Sequence, residues 1–279
     1  MKENLQVFYN LPKDVKFCSV CVNSNQYPTS VPEFNHAFDR NNVKYIQFNK
    51  EHICDGCLQA EIKNNKIDWN QRENELLILL DKYRSKNNSY DCLVPGSGGK
   101  DSVYASHTLK NKYGMNPLTV TWPPILYTDY GYSNFNKWLD IGGFDNITYK
   151  PSGEVMRKLT KIAIETLYHP FQTFILGQKN LAPKIAKQFG INLVFYGENE
   201  AEYGNPIADN DQSSRDKSFY SVQNLNKIRI AGKLLEELKN EHNLSLKDLN
   251  IFLPLLENEN PKKNFEIHYL GYYIKWIPQ

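Results

Sequence analysis

The chain has 279 residues, of which 41% are hydrophobic and 23% charged, and a formal net charge of +2. Such values belong to a chain that can bury a core, and so small a positive excess argues against a protein that grips nucleic acid through its phosphates. No run reaches the roughly 18 apolar residues that span a bilayer, and the opening MKENLQVFYNLPKDV lacks the apolar stretch of a secretory signal. A cytoplasmic protein is expected, with one large core and a small accessory module.

In a reducing compartment cysteines favour metal binding or catalysis over disulfides. Four of the five fall in two pairs, Cys18-Ser-Val-Cys21 and Cys54-Asp-Gly-Cys57. Each CxxC turn aims two sulfurs at one point, and two such turns complete the tetrahedron that Zn²⁺ takes in a closed structural site. Residues 22–53 lie between the pairs, longer than the usual finger spacing, so an intervening hairpin is expected, with PTSVPE as turn and KYIQFN as strand. Neither pair reads as the helix-opening CxxC of a thioredoxin-type βαβ unit. His36 and His52 are spare nitrogens beside an already complete sulfur set. This zinc-ribbon-like module is expected over 1–68.

A helix should follow over NQRENELLILLDKYRSKN, with Leu76, Leu77, Leu80 and Tyr83 on one face. Strand and helix then alternate: strand YDCLVP, helix Asp101–Tyr113, strand LTVTW, helix SNFNKWLDIGG, strand NITYK, helix GEVMRKLTKIAIETL, helix NLAPKIAKQFG, strand INLVFYG. Strands apolar throughout, separated by helices, predict an α/β fold: a parallel sheet with helices on both faces, over 69–279. The polar NPIADNDQSSRDKS reads as a loop or lid, followed by helices near Leu225–Asn240 and Ser245–Leu255. Cys92 reads as a small buried residue inside its strand, and His169 as a structural histidine.

Between strand YDCLVP and its helix lies Gly96-Ser97-Gly98-Gly99-Lys100-Asp101-Ser102. Glycines at a strand's carboxyl end, opening a helix, allow positive φ and close backbone approach, so N–H groups can cradle phosphate. Lys100 and the Ser97 and Ser102 hydroxyls add directed contacts, while Asp101 can cap the helix or hold Mg²⁺. The Walker pattern fails because Asp101 stands where a hydroxyl residue belongs, and GxGxxG fails because Asp101 replaces its last glycine. Ser97–Ser102 instead resembles the SGGxDS loop of the ATP-pyrophosphatase (PP-loop) superfamily. That resemblance implies ATP split between its α- and β-phosphates, with Ser97, Gly98, Gly99, Lys100, Asp101 and Ser102 on the phosphates.

The longer stretches TWPPILYTDYGYSNFNKWLDIGGFDN, LYHPFQTFILGQKNLAPKIA and VFYGENEAEYGNP, with the CxxC pairs, are similar to the N-acetyl sugar amidotransferases of bacterial surface-glycan pathways. The similarity runs from about Phe17 to the last residue. It implies that an acetamido group on a nucleotide-linked or nonulosonic sugar becomes acetamidino, in lipopolysaccharide or flagellin glycan synthesis (pseudaminic or legionaminic acid). Ammonia would come from a separate glutaminase partner, and the cofactors would be ATP, Mg²⁺ and structural Zn²⁺. Glu198, Asn199, Glu200 and Glu202 would serve Mg²⁺, sugar hydroxyls or the incoming ammonium. Gln178 and Lys179, expected to begin a helix after FILG, would reach phosphate or sugar, and Asp129 adenine or the acceptor. Family members are expected to continue past 271-GYYIKWIPQ-279, which would make this domain C-terminally short. Two rival readings are a tRNA sulfur-transferase, which needs a thiol near the loop and a basic face, and an inactive ATP-binding scaffold subunit.

Overall fold

The computed structural model describes residues 11–28, 31–35, 45–197, 212–259 and 265–275. Its centre is a sheet of five strands: β1 (Cys92–Pro95), β2 (Pro117–Thr121), β3 (Asn146–Thr148), β4 (Leu193–Tyr196) and, last in the chain, β9 (Glu266–Tyr269). They lie in the order β3-β2-β1-β4-β9, every neighbouring pair parallel.

Parallel strands need crossovers, and these supply the helices. Ahead of the sheet come α1 (Asp55–Asn65) and α2 (Trp69–Tyr83). The crossovers are α3 (Lys100–His107, continued by a π-turn over Thr108–Lys112), α4 (Asp129–Asp140), α5 (Gly153–Leu167) and α6 (Gln172–Phe189). Side chains alternate across a strand, and both faces are buried. Leu93, Leu118, Val120, Val194 and Ile267 pack into one core with Leu159 and Ile162 of α5 and Leu176 and Leu181 of α6. Cys92, Val94, Leu193 and Phe195 face the other, with Leu76 and Leu80 of α2 and Ala105 and Leu109 of α3 and its extension. The expected sheet covered on both faces is therefore present.

Details depart from expectation. On α2 only Leu76 and Leu80, one turn apart, are buried, while Leu77 is 43% exposed because it lies about 100° round the helix. Gln178 and Lys179 do not begin a helix after FILG: α6 starts earlier, at Gln172, and runs through Pro183 to Phe189. Gly177, which suggested a break, is instead a contact point, since a Cβ there would sit 2.1 Å from the Trp122 ring. The expected helix over Leu225–Asn240 is half hairpin. Short strands β5 (Ser221–Val222) and β8 (Leu255–Leu256) pair in parallel, and β6 (Arg229–Ile230) turns back onto β7 (Lys233–Leu234). The connecting Ala231 and Gly232 both have positive φ, 55° and 79°, as a type I′ turn requires. Helix α7 (Leu235–His242) and α8 (Leu246–Leu249) follow, the latter shorter than expected. A final short helix, α9 (Leu270–Tyr273), follows β9.

Upstream, KYIQFN makes no ladder among the described residues: Pro28 with Tyr45 and Phe48 with Cys54 form isolated bridges. Residues 31–35 leave the cysteine region and enter the main core. Phe34 is 3% exposed among the α5 and α6 side chains. The Glu33 carbonyl accepts from Gln172 Nε2 at 3.1 Å, and Glu33 Oε1 lies 3.5 Å from His169 Nε2.

Candidate functional site

The chain order β1-β2-β3 runs outward on one side of β1, and β4 returns to its other side. In an open α/β sheet this reversal leaves a crevice beyond the carboxyl ends of the two strands, and ligands bind there. A cavity of about 240 Å³ occupies that crevice. Pro95, Gly96, Ser97, Gly99, Asp101 and Ser102 line it from β1 and α3. Tyr196 and Gly197 close it from β4, Gln178, Lys179, Leu181 and Ala182 from α6, Val120 and Trp122 from β2, and Arg215 from the polar segment before β5.

Close approaches shape the loop. Gly98 alone of its three glycines takes positive φ (82°), and a Cβ on it would lie 2.6 Å from the Phe135 Cα of α4. Gly96 is required by proximity, because a Cβ would stand 2.2 Å from Ser102 Cβ. Gly197 lets the first turn of α3 seat itself, its would-be Cβ lying 2.6 Å from the Asp101 carbonyl oxygen. Gly99 is extended and is the N-cap of α3, so Asp101 sits in the first helical turn and is not the cap. Ser102 Oγ donates to Gly99 O at 3.0 Å.

The fold brings Ser97, Gly99, Asp101, Ser102, Gln178 and Lys179 to one cavity. Gln178 and Lys179 do so from the middle of α6, directly after Gly177 has brought the helix against Trp122. Lys100 is not among them. It leaves the helix start on the opposite side and lines a separate groove with Gly98, His107, Asn134 and Lys137. Asp129 is also elsewhere, exposed at the start of α4 beside Tyr132 and Ser133 in a shallow depression. Glu198, Asn199, Glu200 and Glu202 lie outside the described residues.

Arg215 was hidden in a segment that read as mere polar loop. It is 9% exposed, its backbone N–H donates to Ile267 O at 2.8 Å and its Nε to Tyr269 Oη at 2.7 Å. The guanidinium lies 4.8 Å from the Tyr196 ring centre and 5.5 Å from that of Tyr269. A lone arginine among polar residues gives no periodic signal, so nothing in the sequence separated it from its neighbours.

Ahead of the sheet in the chain, Cys18, Cys21, Cys54 and Cys57 place their sulfurs within 4.8 Å of one another. Such a set can hold one metal ion such as zinc, for which four thiolates are the usual structural ligands. Burial pushes the Cys18 thiol up, but backbone N–H groups around its sulfur, including Val20 at 3.4 Å and Cys54 at 3.3 Å, outweigh it and bring it down to about 6. Burial and the neighbouring sulfurs push Cys54 and Cys57 up. The second pair does open a helix, Cys54 being the N-cap of α1, yet the first pair completes the cluster. His52 is exposed with φ of 60° and its carbonyl accepts from the Ser19 N–H; His36 lies outside the described residues. Cys92 is fully buried, and burial raises its thiol strongly.

No family model matches the chain. An uncharacterised protein of Methanocaldococcus jannaschii is 28% identical over 103 residues, which is 37% of this chain and 31% of that protein's length. No helix among the described residues is long and apolar enough to cross a membrane.

Proposed function

We propose that this chain is an ATP-dependent amidotransferase of PP-loop type, which converts a sugar acetamido group to acetamidino with release of pyrophosphate and AMP. The observation that carries the reading is that the Ser97–Ser102 loop, at the head of α3, shares one crevice with Lys179 and Arg215. Helix-terminal N–H groups, two hydroxyls and two cations suit an anionic chain of phosphates. The sugar specificity rests on the sequence resemblance.

ATP would lie with its phosphates on Ser97, Gly99 and Ser102. The acetamido oxygen attacks the α-phosphorus, the α–β bond breaks, and pyrophosphate leaves with the electron pair. Ammonia then adds to the activated carbon, loses a proton, and displaces AMP, leaving the amidine. The protein's task in the first step is to hold negative charge developing on the departing pyrophosphate, for which fixed dipoles need no reorganisation. Mg²⁺ would neutralise the polyphosphate, and Asp101, a carboxylate lining the crevice, is the kind of hard oxygen donor it takes. The cysteine cluster would hold Zn²⁺ as a structural cross-link. Ammonia would be delivered by a glutaminase partner in the cytoplasm. A sulfur-transferase reading is disfavoured because Cys92, the cysteine outside the cluster, is sealed in the core.

The test incubates the metal-loaded protein with ATP, Mg²⁺, ammonium and a panel of acetamido sugar nucleotides. Pyrophosphate and AMP in equal amounts, dependent on sugar, are expected. Inorganic phosphate with ADP would end the reading.

A further inference from the structure

The crevice is not uniform. On the β2 side and along the later part of α6 it is walled by Val120, Trp122, Leu181 and Ala182, while the glycine-serine loop, Tyr196, Arg215 and the earlier α6 residues Gln178 and Lys179 make its polar part. A nucleotide has the same two-part character, a flat apolar base joined to a polyanion. We propose that Arg215 grips the polyphosphate from the β4 side, opposite the Ser97–Ser102 loop, so that the base falls against Val120, Trp122 and Ala182. The proposal rests on the nucleotide reading given above, but on its phosphate part only.

Three features single out Arg215. A guanidinium stays charged at any physiological pH, and its fork of donors matches two phosphate oxygens at once. Its side chain is pre-set: Nε is held by Tyr269 Oη at 2.7 Å, and the Tyr196 and Tyr269 rings flank the charged group at 4.8 and 5.5 Å. Pre-set donors lose little freedom on binding and act more strongly in a buried site than in water. Its backbone is also fixed, through Ile267 O at 2.8 Å, to the last strand of the sheet, so the group is part of the frame and not of a surface loop.

The experiment measures calorimetric affinities of inorganic pyrophosphate and of adenosine for the full chain, wild type and with Arg215→Gln or Arg215→Lys. Expected is a loss of tenfold or more in pyrophosphate affinity for Arg215→Gln, a smaller loss for Arg215→Lys, and adenosine binding unchanged. Unchanged pyrophosphate affinity in a folded Arg215→Gln protein overturns the proposal, as does a parallel loss of adenosine binding, which would mean a collapsed crevice. If Arg215→Gln does not fold, Arg215→Lys carries the test, and wild-type pyrophosphate affinity there overturns it. Absence of pyrophosphate binding to the wild type also overturns it. The function proposed above fails separately: pyrophosphate lost with Arg215→Gln from a protein that never cleaves ATP sinks that reading and leaves this one standing.

Discussion

Gly98 concentrates two constraints in one residue. Its φ of 82° costs a side-chain-bearing residue about 1–2 kcal/mol, and a Cβ would also press on the backbone of Phe135, which cannot rotate away. Gly98→Ala is expected to lose about 2 kcal/mol or more, read as a lowered melting temperature, whereas Gly99→Ala, with nothing within 4 Å of its Cβ, should melt like wild type. Position also separates the two lysines. Lys179 lines the crevice and Lys100 the neighbouring groove, so Lys179→Ala should weaken ATP binding about tenfold and Lys100→Ala by far less, compared side by side in calorimetry. Equal losses would mean that Lys100 swings into the crevice. The SGGKDS motif gave the loop's place in the chain but not which way each side chain leaves the helix, because direction depends on where the helix starts. Arg215 was illegible for a related reason: its role comes from pairing with β9, more than fifty residues further along the chain, and nothing local encodes that.

Strands and helices were legible where apolar residues ran together or recurred at helical spacing, as in β1, β2, β4 and α5. They were misread where a glycine answered to a tertiary contact. Gly177 looked like a helix start and is the spot where α6 meets Trp122, so Gly177→Ala should displace the indole and cost about 1–3 kcal/mol, with a change in tryptophan fluorescence. The β6–β7 turn was missed because it is Ala-Gly, without the usual Asn or Asp, inside a stretch that otherwise alternates like a helix. On β9, burial holds His268 below its usual range despite its Glu266 partner. Its neutral ring fits its contacts, Nδ1 accepting from Tyr273 Oη at 2.7 Å and Nε2 donating to Glu266 at 2.9 Å. A base whose folded value is depressed makes the unfolded chain bind more protons, so stability is present above pH 6.5 and falls as pH drops below it. Glu266 is held low by Lys82 and His268 against the opposing effect of its burial, and adds a second loss below pH 4.5. Unfolding midpoints in denaturant between pH 7 and 4 should fall, and His268→Gln should flatten the first part of that curve; a flat wild-type profile would count against the buried neutral ring.

At the scale of the molecule, the sheet, its switch point and the cysteine cluster follow from alternation and spacing, but the joint between the two halves does not. Nothing in PTSVPEFN announces that Phe34 belongs to the core of α5 and α6. Phe34→Ala should cost about 3–5 kcal/mol although it lies in the connection between the two cysteine pairs. Chelation of the metal should release one zinc per chain and lower the melting temperature of the whole protein, because the segment held between the knuckles is part of the main core. An unchanged melt after chelation would argue that the docking holds without metal. The same joint bears on how the chain is made. Glu33 meets Gln172 across 139 residues, so on a ribosome adding about 5–20 residues per second the docking face of the N-terminal segment waits roughly 7–28 s for its partner to be added. During that interval Phe34 has no core to enter, and the four-cysteine cluster, which could hold an ion, is complete in sequence long before the body it docks on has been synthesised.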